Sequence, residues 1–217
     1  MAIKRPLVKI CGLRTAESLA VALEAGADMV GFVFFGPSPR NISLSEAAAL
    51  GRLVQGRAKI VALTVDADDA LIDAISRAVA PDILQLHGKE TPERAAALSA
   101  RTGKQIMKAI GVSESADLAR AADFTGACDW LLLDAKPPKD ATRPGGNGQA
   151  FDWAILDGFA PAKPWLLSGG LTPANVAEAV ARTGAPGVDV SSGVESAPGV
   201  KDAAAIRAFV AAVRALS

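Results

Sequence analysis

Eight short runs of mostly apolar residues recur along the chain, one to a unit of roughly 25 residues, and little else about it is so constraining. They fall at residues 7–10, 29–34, 59–65, 83–87, 105–110, 130–134, 165–168 and 188–191. Each is nearly continuous in apolar side chains, as a strand covered on both faces should be. Between them lie stretches with helical spacing and legible ends. Residues 16–25 stop at Gly26, Ser43 or Ser45 caps a stretch running to Gln55, and Asp68 opens one over 70–80 that stops before Pro81. Thr91-Pro92 reads as a cap followed by proline at the first helical position. Ser113 opens a fifth helix, Phe151 a short sixth, Thr172-Pro173 repeats the cap–proline signal for a seventh, and 201–216 is the last. Eight strands alternating with eight helices predict an α/β chain that is a single (β/α)8 barrel over residues 1–217. An open doubly wound sheet usually stops at about five or six strands.

Composition narrows the partners. Half of the 217 residues are apolar and the formal net charge is zero, so there is no broad basic surface for nucleic acid. No apolar run approaches the roughly 20 residues of a membrane span, and the N-terminus lacks the apolar core of a signal peptide. Two cysteines without a framework point to a reducing cytoplasm. With one histidine and no CxxC or HxxxH spacing, no metal site is expected.

In a parallel barrel, chemistry gathers just beyond the carboxyl ends of the strands. Those positions are Cys11, residues 34–40, Asp66, His87, Gly111, Asp134, Ser168 to Gly170 and Ser191 to Gly193. Two constellations stand out. Gly169 and Gly170 after the seventh strand, with Ser192 and Gly193 after the eighth, let backbone N–H groups approach an anion, as in barrels that bind phosphate there. Cys11 and Asp134 are groups able to move protons. Asp134 ends an apolar strand, where desolvation favours a protonated acid. Cys11 serves as a base only as thiolate, which asks for a lowered pKa from a helix end or a lysine. Cys128 precedes the sixth strand and so lies at the opposite end, about 20 Å away, beyond disulfide reach of Cys11, and reads as structural. His87 is expected as a hydrogen-bonding residue of the pocket. Asp189, inside the eighth strand, is a possible pocket residue and a reserve acid. Arg40, after the second strand, is either a surface residue or a ligand for a carboxylate.

The ordered motifs Lys9-Ile10-Cys11-Gly12-Leu13, Gly26 to Phe34, Ser38-Pro39-Arg40, Leu84-Gln85-Leu86-His87-Gly88, Leu132-Leu133-Asp134, Gly145-Gly146-Asn147-Gly148, Phe151-Asp152-Trp153, Leu167 to Pro173 and Val188 to Glu195 resemble the phosphoribosylanthranilate isomerase family over nearly the whole chain. The resemblance implies a (β/α)8 barrel and an Amadori rearrangement in tryptophan biosynthesis, without cofactor or metal. A small phosphosugar is the substrate it implies, and a monomer or homodimer is expected. It places the family's acid on Asp134, its base on Cys11, the residue holding the anthranilate carboxylate on Arg40, and the phosphate on the glycine turns. Two departures stand out: Thr64-Val65-Asp66 where many relatives read Phe-Val-Asn, and Asn147 where Ser or Thr is common. The rivals are a phosphosugar aldose–ketose isomerase of histidine biosynthesis, which typically carries aspartate where Cys11 stands, and a catalytically inactive phosphate-binding barrel.

Overall fold

The computed structural model describes residues 5–136, 145 and 150–216. Eight parallel strands close into a barrel in chain order: β1 (Leu7–Cys11), β2 (Met29–Phe34), β3 (Lys59–Thr64), β4 (Ile83–Leu86), β5 (Gln105–Val112), β6 (Trp130–Ala135), β7 (Trp165–Leu167) and β8 (Gly187–Val190). Closure is made by β1 against β8, with Lys9 opposite Asp189. The outer layer contains α1 (Ala16–Ala25), α2 (Leu44–Val54), α3 (Asp69–Val79), α4 (Pro92–Thr102), α5 (Ala119–Asp123), α6 (Val176–Thr183) and α7 (Ala203–Arg214). None of the described helices is long and apolar enough to cross a membrane.

The first helix begins at Ala16 as expected, and the next three begin at caps the sequence names. Thr15, Ser43, Asp68 and Thr91 each accept a backbone N–H of the first turn, and Ser43 with Glu46 completes a capping box. The fifth to seventh helices differ from expectation, while the last, expected over 201–216, runs Ala203–Arg214. The fifth opens as a 3-10 turn, Ser115–Leu118, because Asp117 turns back to accept from Ser113 N and Glu114 N, and only five α-helical residues follow. The sixth is no more than a 3-10 turn, Trp153–Leu156, ahead of Gly158, Pro161 and Pro164. The cap–proline signal at Thr172-Pro173 does not start a helix. Asn175 accepts from Thr172 N and donates to Gly170 O, so the segment becomes a turn and α6 begins at Val176. A two-stranded hairpin that the sequence pattern does not announce, β9 (Glu195–Ala197) with β10 (Val200–Lys201), follows β8.

Side chains alternate along each strand. Val8, Ile10, Leu84, Leu86, Leu131 and Leu133 pack outward in the layer beneath the helices. Met29, Val61, Ile83, Met107, Leu132 and Leu166 fill the lower interior. Above them the inward positions turn polar, with Lys9, Gln85, Asp134 and Asp189 all buried. The opposite end is held by a repeated device. Asp28, Asp82 and Asp129, each just before an even-numbered strand, accept the backbone N–H of Val8, Ile60 and Ile106 on the preceding strand.

Candidate active site

The carboxyl ends of the strands surround a cleft that opens to solvent. Cys11, Arg40, His87, Asp134, Gly169, Gly170, Asp189, Ser192 and Gly193 all line it. Asp66 and Gly111, also at strand ends, are used otherwise. Asp66 has a φ of 49°; its N–H donates to Glu90 and its carboxylate accepts from Lys89 N, which joins the loops after β3 and β4. Gly111 packs beside Lys136, whose Cγ would stand 3.2 Å from a Cβ there.

Cys11 ends β1 with its side chain turned inward, two residues after Lys9 on the same face. Across the ladder it pairs with Gly31, where a Cβ would stand 3.0 Å from the thiol sulfur. Lys9 is fully buried, and its Nζ donates to Asp189 Oδ1 at 2.7 Å. The other oxygen of Asp189 accepts from Ser168 Oγ at 3.2 Å. Asp189 therefore lines the cleft as the fixed partner of Lys9, and both its oxygens are occupied. Burial pushes the Cys11 thiol up, and Asp189 pushes the same way; Lys9 and then Lys201 pull it down without cancelling the rise. The lowered pKa expected of a base is thus absent here, because a thiolate in this enclosed position gives up its hydration. Burial works against the Lys9 ammonium too, but Asp189 and Cys11 outweigh it and hold its pKa above the ordinary lysine value.

Asp134 sits near the end of β6, 4% exposed. Its Oδ1 accepts from Ala135 N at 2.9 Å, and its Oδ2 lies 3.2 Å from His87 Nε2. On its other side His87 presents Nδ1 to Gln85 Nε2 at 3.2 Å. Gly145 lies directly against this pair, since a Cβ there would stand 2.5 Å from Asp134 Oδ2 and 2.7 Å from His87 Cε1. Asn147, in the same loop, falls outside the described residues.

Arg40 is 4% exposed and grips Glu195 with two parallel bonds, Nε to Oε1 at 2.7 Å and Nη2 to Oε2 at 2.8 Å. Lys201 Nζ also reaches Glu195 Oε1, at 2.7 Å. Burial alone would raise the Glu195 pKa, but Arg40 and Lys201 hold it below the usual carboxylate value; burial lowers that of Lys201. Gly169 and Gly170 have φ of 89° and 62°, a left-handed turn open to glycine and strained for other residues. Gly193 packs so tightly on the neighbouring turn that a Cβ would meet Leu171 O at 1.8 Å. The two glycine turns are thereby in backbone contact.

Four polar neighbours escaped the strand-end reading: Lys9, Gln85, Glu195 and Lys201. Two of them carry a signal. Lys9 and Gln85 lie two residues before Cys11 and His87, so period-two alternation puts each on the same inward face. A lysine inside an apolar strand also needs a buried counter-charge, and Asp189 supplies it. Glu195 and Lys201 are brought in by the β9–β10 hairpin, for which the sequence offered no pattern.

A closed (β/α)8 barrel with a polar cleft over the carboxyl ends of its strands has the architecture of a barrel enzyme. The chain belongs to the N-(5'-phosphoribosyl)anthranilate isomerase family, whose model matches residues 8–212. A relative of that name from Nitrobacter hamburgensis is 58% identical over 209 residues, 96% of this chain and 93% of the relative. The phosphoribosyl anthranilate isomerase of Thermotoga maritima superposes with a TM-score of 0.86 at 35% identity, covering 97% of this chain and all of that one. A further isomerase structure, solved with reduced 1-(o-carboxyphenylamino)-1-deoxyribulose 5-phosphate, superposes with a TM-score of 0.82 at 33% identity, over 97% of this chain and 100% of its own.

Proposed function

We propose that the barrel converts N-(5-phosphoribosyl)anthranilate to 1-(2-carboxyphenylamino)-1-deoxyribulose 5-phosphate with Asp134 as general acid and Cys11 as general base. The observation carrying this assignment is that both groups are buried, end different strands, and open into one cleft. Asp134 donates a proton to the furanose ring oxygen. The bond from that oxygen to the anomeric carbon breaks, and the lone pair of the anthranilate nitrogen forms the iminium. Cys11 thiolate then takes the proton from the second sugar carbon. The electron pair released there moves into the iminium and gives an enolamine, which tautomerises to the ketone. The substrate's own nitrogen is the electron sink.

The remaining roles follow from charge and shape. Lys9, locked by Asp189 beside Cys11, supplies the positive charge that favours thiolate. Arg40 presents a planar cation suited to the anthranilate carboxylate. The left-handed turn at Gly169 and Gly170, with Ser192 and Gly193 beside it, offers backbone N–H groups to the phosphate. Both cysteines are free thiols, in keeping with work in the cytoplasm. The test is direct: enzymatically made phosphoribosylanthranilate is mixed with the purified protein and its fluorescence followed. Rapid loss with wild type and none with Asp134→Asn supports the reading; undiminished loss with that variant overturns the acid assignment.

A further inference from the structure

The Asp134 carboxyl is only useful as an acid if its proton faces the cleft rather than its protein neighbours. That neighbour is His87, 3.2 Å from Oδ2. An imidazole nitrogen can either donate to a carboxyl or accept its proton, depending on which ring nitrogen carries hydrogen. If Nε2 were bare, the Asp134 proton would settle in the Asp134–His87 contact and be withheld from the ring oxygen. If Nε2 carries hydrogen, it can only donate, and the acid proton must lie on a lone pair turned elsewhere.

From the far side of the ring comes the group that decides. Gln85 is fully buried and inward-facing on β4, two residues before His87. Its Nε2 approaches His87 Nδ1 at 3.2 Å. A carboxamide nitrogen is donor only, so with the amide in this orientation Nδ1 accepts and the ring hydrogen is left on Nε2. Meanwhile the Gln85 carbonyl oxygen is buried with no hydrogen-bond partner among the described residues. Such an orphan is costly and uncommon, and a leucine or methionine would fill the space without it. Resting on the reading of Asp134 as the acid, we infer that Gln85 is a positioning residue: it fixes His87 as the Nε2–H tautomer and thereby keeps the Asp134 proton available to the substrate. Gln85 itself acts through His87 and not on the reacting atoms.

Because His87 is the chain's only histidine, its tautomer can be read without assignment from long-range proton–nitrogen NMR correlations of the labelled full-length protein. Wild type should show hydrogen on Nε2 and a bare Nδ1. Gln85→Glu offers an acceptor in place of the donor and should put hydrogen on Nδ1, with kcat lowered about tenfold or more and KM within about twofold. Gln85→Met, which introduces no buried charge, should give a mixture of tautomers and an intermediate kcat. Hydrogen on Nδ1 in wild type overturns the inference, and this measurement needs no variant to fold. So does a Gln85→Met protein with the wild-type tautomer and rate, or a Gln85→Glu protein that switches tautomer at full kcat. Failure of the acid assignment looks different: Asp134→Asn would stay active while the wild-type tautomer remained as expected.

Discussion

The two groups placed to move protons are housed in opposite ways. Around Cys11 the barrel wall is ionic: Lys9 and Asp189 form a buried pair across the β1–β8 seam, and Lys201 with Glu195 and Arg40 continues the charges outward. Among the described residues, the wall around Asp134 is built of an imidazole, an amide and a backbone N–H. The difference matches the task that the proposed function gives each group. A thiol in a closed position needs nearby positive charge to lose its proton, because burial alone holds the proton on. A carboxyl that must deliver a proton is better served by neighbours that orient it without a full positive charge, which would favour the ionised form. In the proposed mechanism one barrel would run base and acid chemistry by building two local environments at its mouth.

The largest effects should come from removing either group. Cys11→Ser preserves the size of the side chain but puts ionisation out of range, and Asp134→Asn preserves shape but has no acid proton. Each should lower kcat by about 10²–10⁴-fold with analogue binding retained. Since they act in successive steps of one path, the double variant should lose less than the product of the single losses. Wild-type turnover should rise with pH as the Cys11 thiol ionises. That limb is expected above the ordinary thiol range, because burial raises the pKa despite Lys9, and it should be absent from Cys11→Ser. Steady-state fluorescence assays across pH test both claims.

Next comes the ionic wall itself. Lys9→Met leaves Asp189 buried and uncompensated, a loss of about 3–5 kcal/mol of stability. It also removes the first of the charges that pull the Cys11 pKa down, so the rate limb should move to still higher pH. Denaturant unfolding gives the first quantity; alkylation rates against pH in a Cys128→Ser background give the second. A variant that unfolds more easily but alkylates at the wild-type pH would make Lys9 a structural lysine only, and the contrast between the two walls would lose its meaning.

How far the sequence could be read differs between the same regions and the rest of the barrel. Elements set by local rules were legible: three helices start at caps named from sequence, and the eight strands recur where the apolar runs do. Cys11 and Asp134 stood out because strand ends on one face of a barrel converge. Lys9 and Gln85 were readable in principle by alternation, but a residue inside an apolar run looks like packing until its partner on another strand is known. Glu195 and Lys201 needed the β9–β10 hairpin, a long-range event with no local signature. The later helices were misread where a side chain was spent on a loop: Asn175 ties Thr172 to Gly170, and Asp117 ties Ser113 and Glu114, so the expected helical turns do not form.

A smaller effect is expected at the cleft's outer edge. Arg40→Lys keeps the charge but loses the planar fork that holds Glu195 and, in the proposed complex, the substrate carboxylate. KM should rise about tenfold with little change in kcat, in line with the value of a charge-assisted hydrogen bond. A substrate analogue without the carboxylate distinguishes the two partners. If its KM rises as much in the variant, Arg40 acts through Glu195 and the hairpin; if it is indifferent, Arg40 binds the carboxylate.

The smallest effect tests whether the Asp134 side is free of strong charge where it matters. An ion pair at the cleft on this side is Lys136 with Asp117, at 2.5 Å, just beyond the end of β6. Burial alone would raise the Asp117 pKa, but Lys136 and the N–H groups of Ser113 and Glu114 more than offset it and hold it at about 2. A carboxylate whose pKa is lowered on folding stabilises the native state above its unfolded pKa, near 4, and that stabilisation is lost as pH falls toward 2. The Lys136 side chain is 42% exposed, so solvent screening limits the contribution to about 1 kcal/mol. Asp117→Asn should therefore lower stability by about that amount at neutral pH and by progressively less below pH 4, where the wild type loses the same term. Urea unfolding at a series of pH values measures this difference. The kcat of the variant should be unchanged, because the pair steadies the strand end and takes no part in the proton transfer. A kcat that falls with Asp117→Asn would mean that Lys136, which lines the cleft, brings its charge to bear on Asp134, and the Asp134 wall would then be as ionic as the one around Cys11.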